Sequence, residues 1–127
     1  MDIFSLLVAF YLYNQEAYKQ QLFINYIVKS AEIHGVDSFV ALSLVSCESR
    51  FKEDATGDWR SEDQIYLSHG LFQFQKPTFY HYAKIYGIKG EWKNPFVQTD
   101  LATLMLRDGL WYKWYNCGKI IGYDKKM

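Results

Sequence analysis

The stretch Ala41-Leu42-Ser43-Leu44-Val45-Ser46-Cys47-Glu48-Ser49-Arg50-Phe51 decides how the rest of the chain is read. Asp37 or Ser38 can cap a helix running into it, because a short polar side chain accepts from the free N–H groups of a first turn. Ala41, Leu44 and Val45 then share one face at spacings of three and four, and Glu48 continues that stripe where another apolar residue would be expected. Its carboxyl therefore points inward. Burial and the negative end of the helix dipole both disfavour the carboxylate, so both raise the pKa. A glutamic acid kept protonated near neutral pH can donate a proton. The alternative is a glutamate that snorkels from the helix end or pairs with Arg50.

The second informative stretch is Gly70-Leu71-Phe72-Gln73-Phe74. Gly70 permits a close approach of backbone to a substrate or a helix that a Cβ would block. Gln73 donates and accepts through one planar amide, which suits either holding a polar ligand or tying two backbone segments together. Taken in order, Glu48-Ser49-x-Phe51 and Gly70-Leu71-Phe72-Gln73 resemble the lysozyme-like superfamily of lytic transglycosylases and goose-type lysozymes. The resemblance runs from about Phe39 to about Gly118.

That resemblance implies a mainly α, α+β lysozyme-like fold: a single helical domain with a cleft and at most a small β-hairpin. It also implies cleavage of the β-1,4 bond between N-acetylmuramic acid and N-acetylglucosamine in the peptidoglycan glycan strand, with Glu48 as the acid. In the transglycosylase version the substrate's own N-acetyl group stabilises the developing cationic carbon and its 6-hydroxyl attacks, so one carboxyl suffices. Goose-type hydrolases instead position water with aspartates. Asp58, in Gly57-Asp58-Trp59, resembles the first of these, but Gln75 stands where those hydrolases carry the second. Asp54 or Asp63 could also hold a water. Tyr115-Asn116-x-Gly118 resembles an Ala-Tyr-Asn-x-Gly motif whose tyrosine borders the catalytic glutamate, with Trp114 in place of the alanine. The spacing after Asn94 leaves no room for the usual additional helix. Carried over residue by residue, the implied substrate contacts are Ser49, Asp58, Gly70, Leu71, Gln73, Phe74 and Tyr115. Ser49 could equally back-bond to its own helix. A hydrolytic muramidase and a catalytically silent glycan-binding or structural domain of the same fold are the competing readings.

At 127 residues the chain fits one domain. A hydrophobic fraction of 50% excludes disorder, and 9 Phe, 11 Tyr and 4 Trp exceed what one core needs, which leaves aromatic rings for sugar stacking. With 14 basic and 14 acidic residues no electrostatic footprint for nucleic acid or an acidic membrane exists. Cys47 and Cys117 do not sit among histidines or in a Cys-x-x-Cys pair, so neither zinc nor any other metal or cofactor is expected. Two cysteines permit one disulfide, which an oxidising, extracytoplasmic setting would favour, whether periplasmic, wall-associated, secreted or phage-borne. Cys47 could equally be a small buried hydrophobe. His34, His69 and His81 are not placed with either cysteine or with a serine-aspartate pair. A monomer is expected.

Residues 1–15 read as an apolar helix packed on the domain or a partial export segment, and 16–127 as the lysozyme-like domain. The run from Ile3 to Tyr13 is too short for a stable membrane span, and neither Lys nor Arg precedes it as in a signal peptide. From Glu16 to His34 the positions Tyr18, Leu22, Phe23, Tyr26, Ile27 and Ile33 form an apolar face that Gly35 ends. Residues 52–63 form a polar loop, the expected cleft wall, and Gln64 to Leu67 supply only a short strand. Pro77-Thr78 opens a helix with Phe79, Tyr82, Ala83 and Tyr86 on one face and Gly87 at its end. Asn94-Pro95 is the clearest helix start, leading through Leu101, Leu104 and Met105 to Gly109. A basic tail closes the chain.

Overall fold

The computed structural model describes residues 2–122, so residues 123–127 of the basic tail lie outside the described residues. The elements run α1 Ile3–Ile33, α2 Ser38–Ser49, β1 Thr56–Arg60, β2 Ile65–His69, β3 Phe74–Gln75, α3 Lys76–Tyr86, α4 Pro95–Arg107, a 3-10 turn Leu110–Trp114 and α5 Tyr115–Ile120. The fold is mainly helical, with one small antiparallel sheet in the order β1-β2-β3.

The helix boundaries follow local chemistry. Asp37 caps α2 by accepting from the N–H groups of Phe39 and Val40, and Asn94 caps α4 by accepting from Phe96 and Val97, with Pro95 next. Gly87 ends α3 in the left-handed conformation, at φ 69°. α4 is the central helix, and Leu101, Ala102, Met105 and Leu106 are all buried. Around it pack Phe23, Ile27 and Ala31 of α1, the Ala41–Leu44–Val45 stripe of α2, and Phe79 and Ala83 of α3. Between α1 and α4 a polar seam is fully satisfied. Tyr26 donates to Asp100 at 2.9 Å, the Ser30 and Thr103 hydroxyls lie 2.8 Å apart, and His34 Nδ1 lies 2.8 Å from Thr103 Oγ1.

Three expectations need correction. α1 is one continuous helix with no break at residue 15, and its residues before 20 are all exposed, so Ile3–Tyr13 projects from the domain instead of packing on it. Of the apolar face expected along α1, Phe23 and Ile27 are buried and Tyr26 half-buried, whereas Tyr18, Leu22 and Ile33 stand in solvent. The polar loop contains a full strand. Thr56 pairs with His69 and Arg60 with Ile65, giving a hairpin to which β3 adds a third, two-residue strand. The Trp59 and Tyr66 rings, 4.8 Å apart across the hairpin, supply a cross-strand contact that turn-rich composition conceals.

Candidate active site

Glu48 sits one residue before the end of α2, where the chain turns sharply: Arg50 and Phe51 both take positive φ, 55° and 62°. The turn leaves the Glu48 carboxyl at the bottom of a cleft between α2, the sheet and the 3-10 turn leading into α5. Among the described residues it has no hydrogen-bond or ion-pair partner, and Arg50 does not pair with it. Burial, and secondly the Asp58 carboxylate, push its pKa up from the ordinary 4.5 to about 7.

The cleft has two lobes. The first, about 280 Å³, is lined by Glu48, Gly57, Asp58, Gln73, Lys113, Trp114, Tyr115, Asn116 and Cys117. The second, about 210 Å³, adds Ser68, Phe74, Gln75 and Thr78 and shares Asp58, Gln73, Lys113 and Trp114 with the first. Asp58 sits in β1 at φ 53°, and its Oδ2 accepts from the Ser68 hydroxyl and, at 3.4 Å, from Gln75 Nε2. Asp63 is tied to Arg60 on an exposed edge, and neither it nor Asp54 lines the cleft. Of the three aspartates only Asp58 faces Glu48.

Gln73 ties two backbone segments together. Its Nε2 donates to Ala55 O at 3.0 Å and Gly70 O at 2.9 Å, which fixes the loop before β1 to the turn before β3. Both amide hydrogens are thereby used, and Oε1 is left beside Gly57, where a Cβ would come within 2.5 Å of it. Glycine at 57 is thus required for Gln73 to reach the cleft wall. Tyr115 is exposed at the mouth of the first lobe, its ring stacked on Trp111 at 6.3 Å. The α5 segment that carries it is short, in keeping with the missing additional helix.

Other motif residues act behind the wall. Ser49 is buried and donates to Val45 O at 3.2 Å, the back-bonded alternative. Leu71 is 1% exposed and belongs to the core. Gly70, at φ 90°, approaches α4, and a Cβ there would meet Gln98 at 2.5 Å. Phe74 borders the second lobe but is chiefly a packing residue, 5.6 Å from Phe79 and 5.5 Å from Trp114. Cys47 and Cys117 form a disulfide, with Cα atoms 5.8 Å apart, which fastens α5 to α2 beside Glu48. Among the described residues no group of His, Cys, Asp or Glu could hold a metal, and no helix is long and apolar enough to cross a membrane.

Two important residues were not anticipated. Gln98 is fully buried: its Nε2 donates to His69 O and Trp92 O, and its Oε1 accepts from Phe72 N–H. It holds the Gly70–Phe74 turn to α4. Its signal was the one used for Glu48, a polar residue on an apolar stripe, here Gln98, Leu101 and Met105. Lys113 lines both lobes, a position set by the tertiary path of the 3-10 turn and carrying no local signature.

A hollow of about 430 Å³ between α1 and α4, bordered by Tyr26, Ile33 and Leu104, shares no lining residue with this cleft. The unpartnered acid Glu48 lines the cleft and not this hollow.

Comparison with curated proteins and with solved structures gives no match. The family model described as Transglycosylase SLT domain matches residues 25–119, from the packed half of α1 through α5, and so takes in Glu48, Asp58, Gln73 and Tyr115. The chain belongs to the transglycosylase SLT domain family, lysozyme-like enzymes that act on peptidoglycan.

Proposed function

We propose that this domain cleaves the β-1,4 bond between N-acetylmuramic acid and N-acetylglucosamine without water, leaving 1,6-anhydro-muramoyl ends. The observation that carries the reading is Glu48: an unpartnered carboxyl on the cleft floor, half protonated at about pH 7. It delivers its proton to the glycosidic oxygen as the bond to C1 breaks. The carbonyl oxygen of the substrate's N-acetyl group stabilises C1, the 6-hydroxyl oxygen then bonds to C1, and Glu48 takes back the hydroxyl proton. Atoms balance with no water consumed.

Gln73 Oε1 presents an acceptor to the N-acetyl N–H, and Tyr115 offers a face for a sugar ring. A substrate filling the lobe excludes water from Glu48, which keeps the acid form available. The disulfide supports action outside the cytoplasm, where peptidoglycan lies and such bonds persist. We take the acting unit to be a monomer.

One observation favours hydrolysis instead. Asp58 lines the same lobe as Glu48 and could hold a water there. Its Oδ2 is already engaged by Ser68 and Gln75, which favours a structural part. Mass spectrometry of the soluble fragments from purified cell walls decides. Anhydro ends are expected; reducing ends would assign a hydrolase, and intact walls would assign a silent domain.

A further inference from the structure

We infer that Lys113 makes the cleft select glycan strands whose lactyl groups carry free carboxylates, an inference that rests on the peptidoglycan-cleaving reading of the same cleft. Among the described residues, Lys113 is the one cation lining either lobe, and it lines both. No carboxylate among the described residues lies within ion-pairing distance of it. Its ammonium stands 5.6 Å from the Tyr82 ring centre and 5.4 Å from that of Tyr112. Two ring faces attract the charge without neutralising it. Asp58, which lines both lobes with Lys113, accepts from neutral donors. Lys113 is therefore an exposed cation on the cleft wall, with no carboxylate partner among the described residues.

The strand itself offers few anions. N-acetylglucosamine is neutral, while N-acetylmuramic acid carries a lactyl ether whose carboxyl is either free or joined as an amide to a stem peptide. Only the free form puts a negative charge next to the sugar ring, where a charge-assisted hydrogen bond from an ammonium is about twice as strong as a neutral one. The amide form presents a neutral carbonyl and must also lead a peptide out past Tyr112 and Tyr115. Selection of the free carboxylate places the enzyme after a reaction of one class: hydrolysis of the lactyl–peptide amide. Its preferred substrate is the product of an amidase.

The test compares kcat/KM on three preparations of one glycan. These are peptide-free strands, strands with stem peptides intact, and peptide-free strands whose lactyl carboxyls have been converted to methylamides. The wild type is expected to favour the peptide-free strands about tenfold over both others, with the preference shrinking as salt is raised. Lys113→Met should bring the ratio close to one, and Lys113→Arg should restore it. Equal rates on all three preparations in the wild type, or a ratio that Lys113→Met leaves intact, would overturn the inference. Calorimetric binding of the same strands to Glu48→Gln repeats the comparison without turnover. A protein that cleaves none of them would sink the proposed activity, while tenfold tighter binding of the peptide-free strands would still uphold the selection and equal affinities would refute it.

Discussion

Replacing Glu48 with Gln keeps the size and shape of the side chain and removes only its titration. The folded protein holds the Glu48 proton more tightly than the unfolded chain does, with the pKa rising from 4.5 to about 7. Linkage then fixes the sign. Below pH 4.5 the group is protonated in both states and its protonated form is fully accommodated; between 4.5 and 7 the unfolded chain loses its proton first, so stability falls as pH rises. Above pH 7 the loss is complete. At about 1.4 kcal/mol per tenfold change in binding, the interval amounts to about 3 kcal/mol. Glu48→Gln should match the wild type at pH 4 and exceed it by about 3 kcal/mol at pH 8, or roughly 10 °C in Tm for a domain of this size. Denaturant unfolding at a series of pH values measures it. Activity should move the other way, falling by ~10²–10⁴ at every pH, because the transferable proton is gone. A stability difference that stays constant from pH 4 to 8 would mean that Glu48 titrates as an ordinary exposed carboxyl, and the reasoning about its environment would fail.

Other consequences are equally open to measurement. In the wild type kcat/KM should decline above about pH 7 as the acid form is lost, and Asp58→Asn should shift that decline to lower pH, since the Asp58 charge helps hold the Glu48 proton. The same variant should lose about tenfold in rate and still yield anhydro products; a thousandfold loss with reducing ends would assign Asp58 to water activation. Breaking the Cys47–Cys117 bridge, which spans a sequence separation of 70, should lower stability by about 4 kcal/mol on the chain-entropy model. It should also raise KM, because Tyr115 loses its fastening, and a reduced protein with unchanged stability and KM would show the bridge to be incidental. Gln98→Leu strands His69 O, Trp92 O and Phe72 N–H in the interior and should cost about 3–5 kcal/mol in urea unfolding.

Features written in a few adjacent residues were readable before any coordinates. Asp37, Asn94-Pro95 and Gly87 set helix ends by contacts within one turn, and the Glu48 stripe shows its orientation by spacing alone. The family motifs located the cleft but not the exposure of each motif residue. Ser49 and Leu71 proved to be support because a side chain's direction relative to a cleft depends on how elements stack. β1 was hidden for a related reason, since its order comes from pairing with β2 across a turn and not from its own composition. Periodicity on α1 could mark apolar positions but could not reveal that its first turns meet no partner among the described residues.

That unpartnered half of α1 has a consequence for how the protein breathes. Every residue from 2 to 19 is exposed, and the first tether to the domain is the surface pair Lys19–Glu53 at 2.7 Å, an interaction typically worth under ~1 kcal/mol. The leading turns thus rest on their own i→i−4 bonds, and a lone helix of such length is marginal in water. Their amides should exchange with solvent deuterium through rapid fraying, while those of Ile27 and Ala31, buried against α2 and α4, exchange only through opening of the whole domain. A single helix then carries two clocks, one set by helix–coil equilibrium and one by global unfolding, with the change from one to the other falling where Phe23 enters the core.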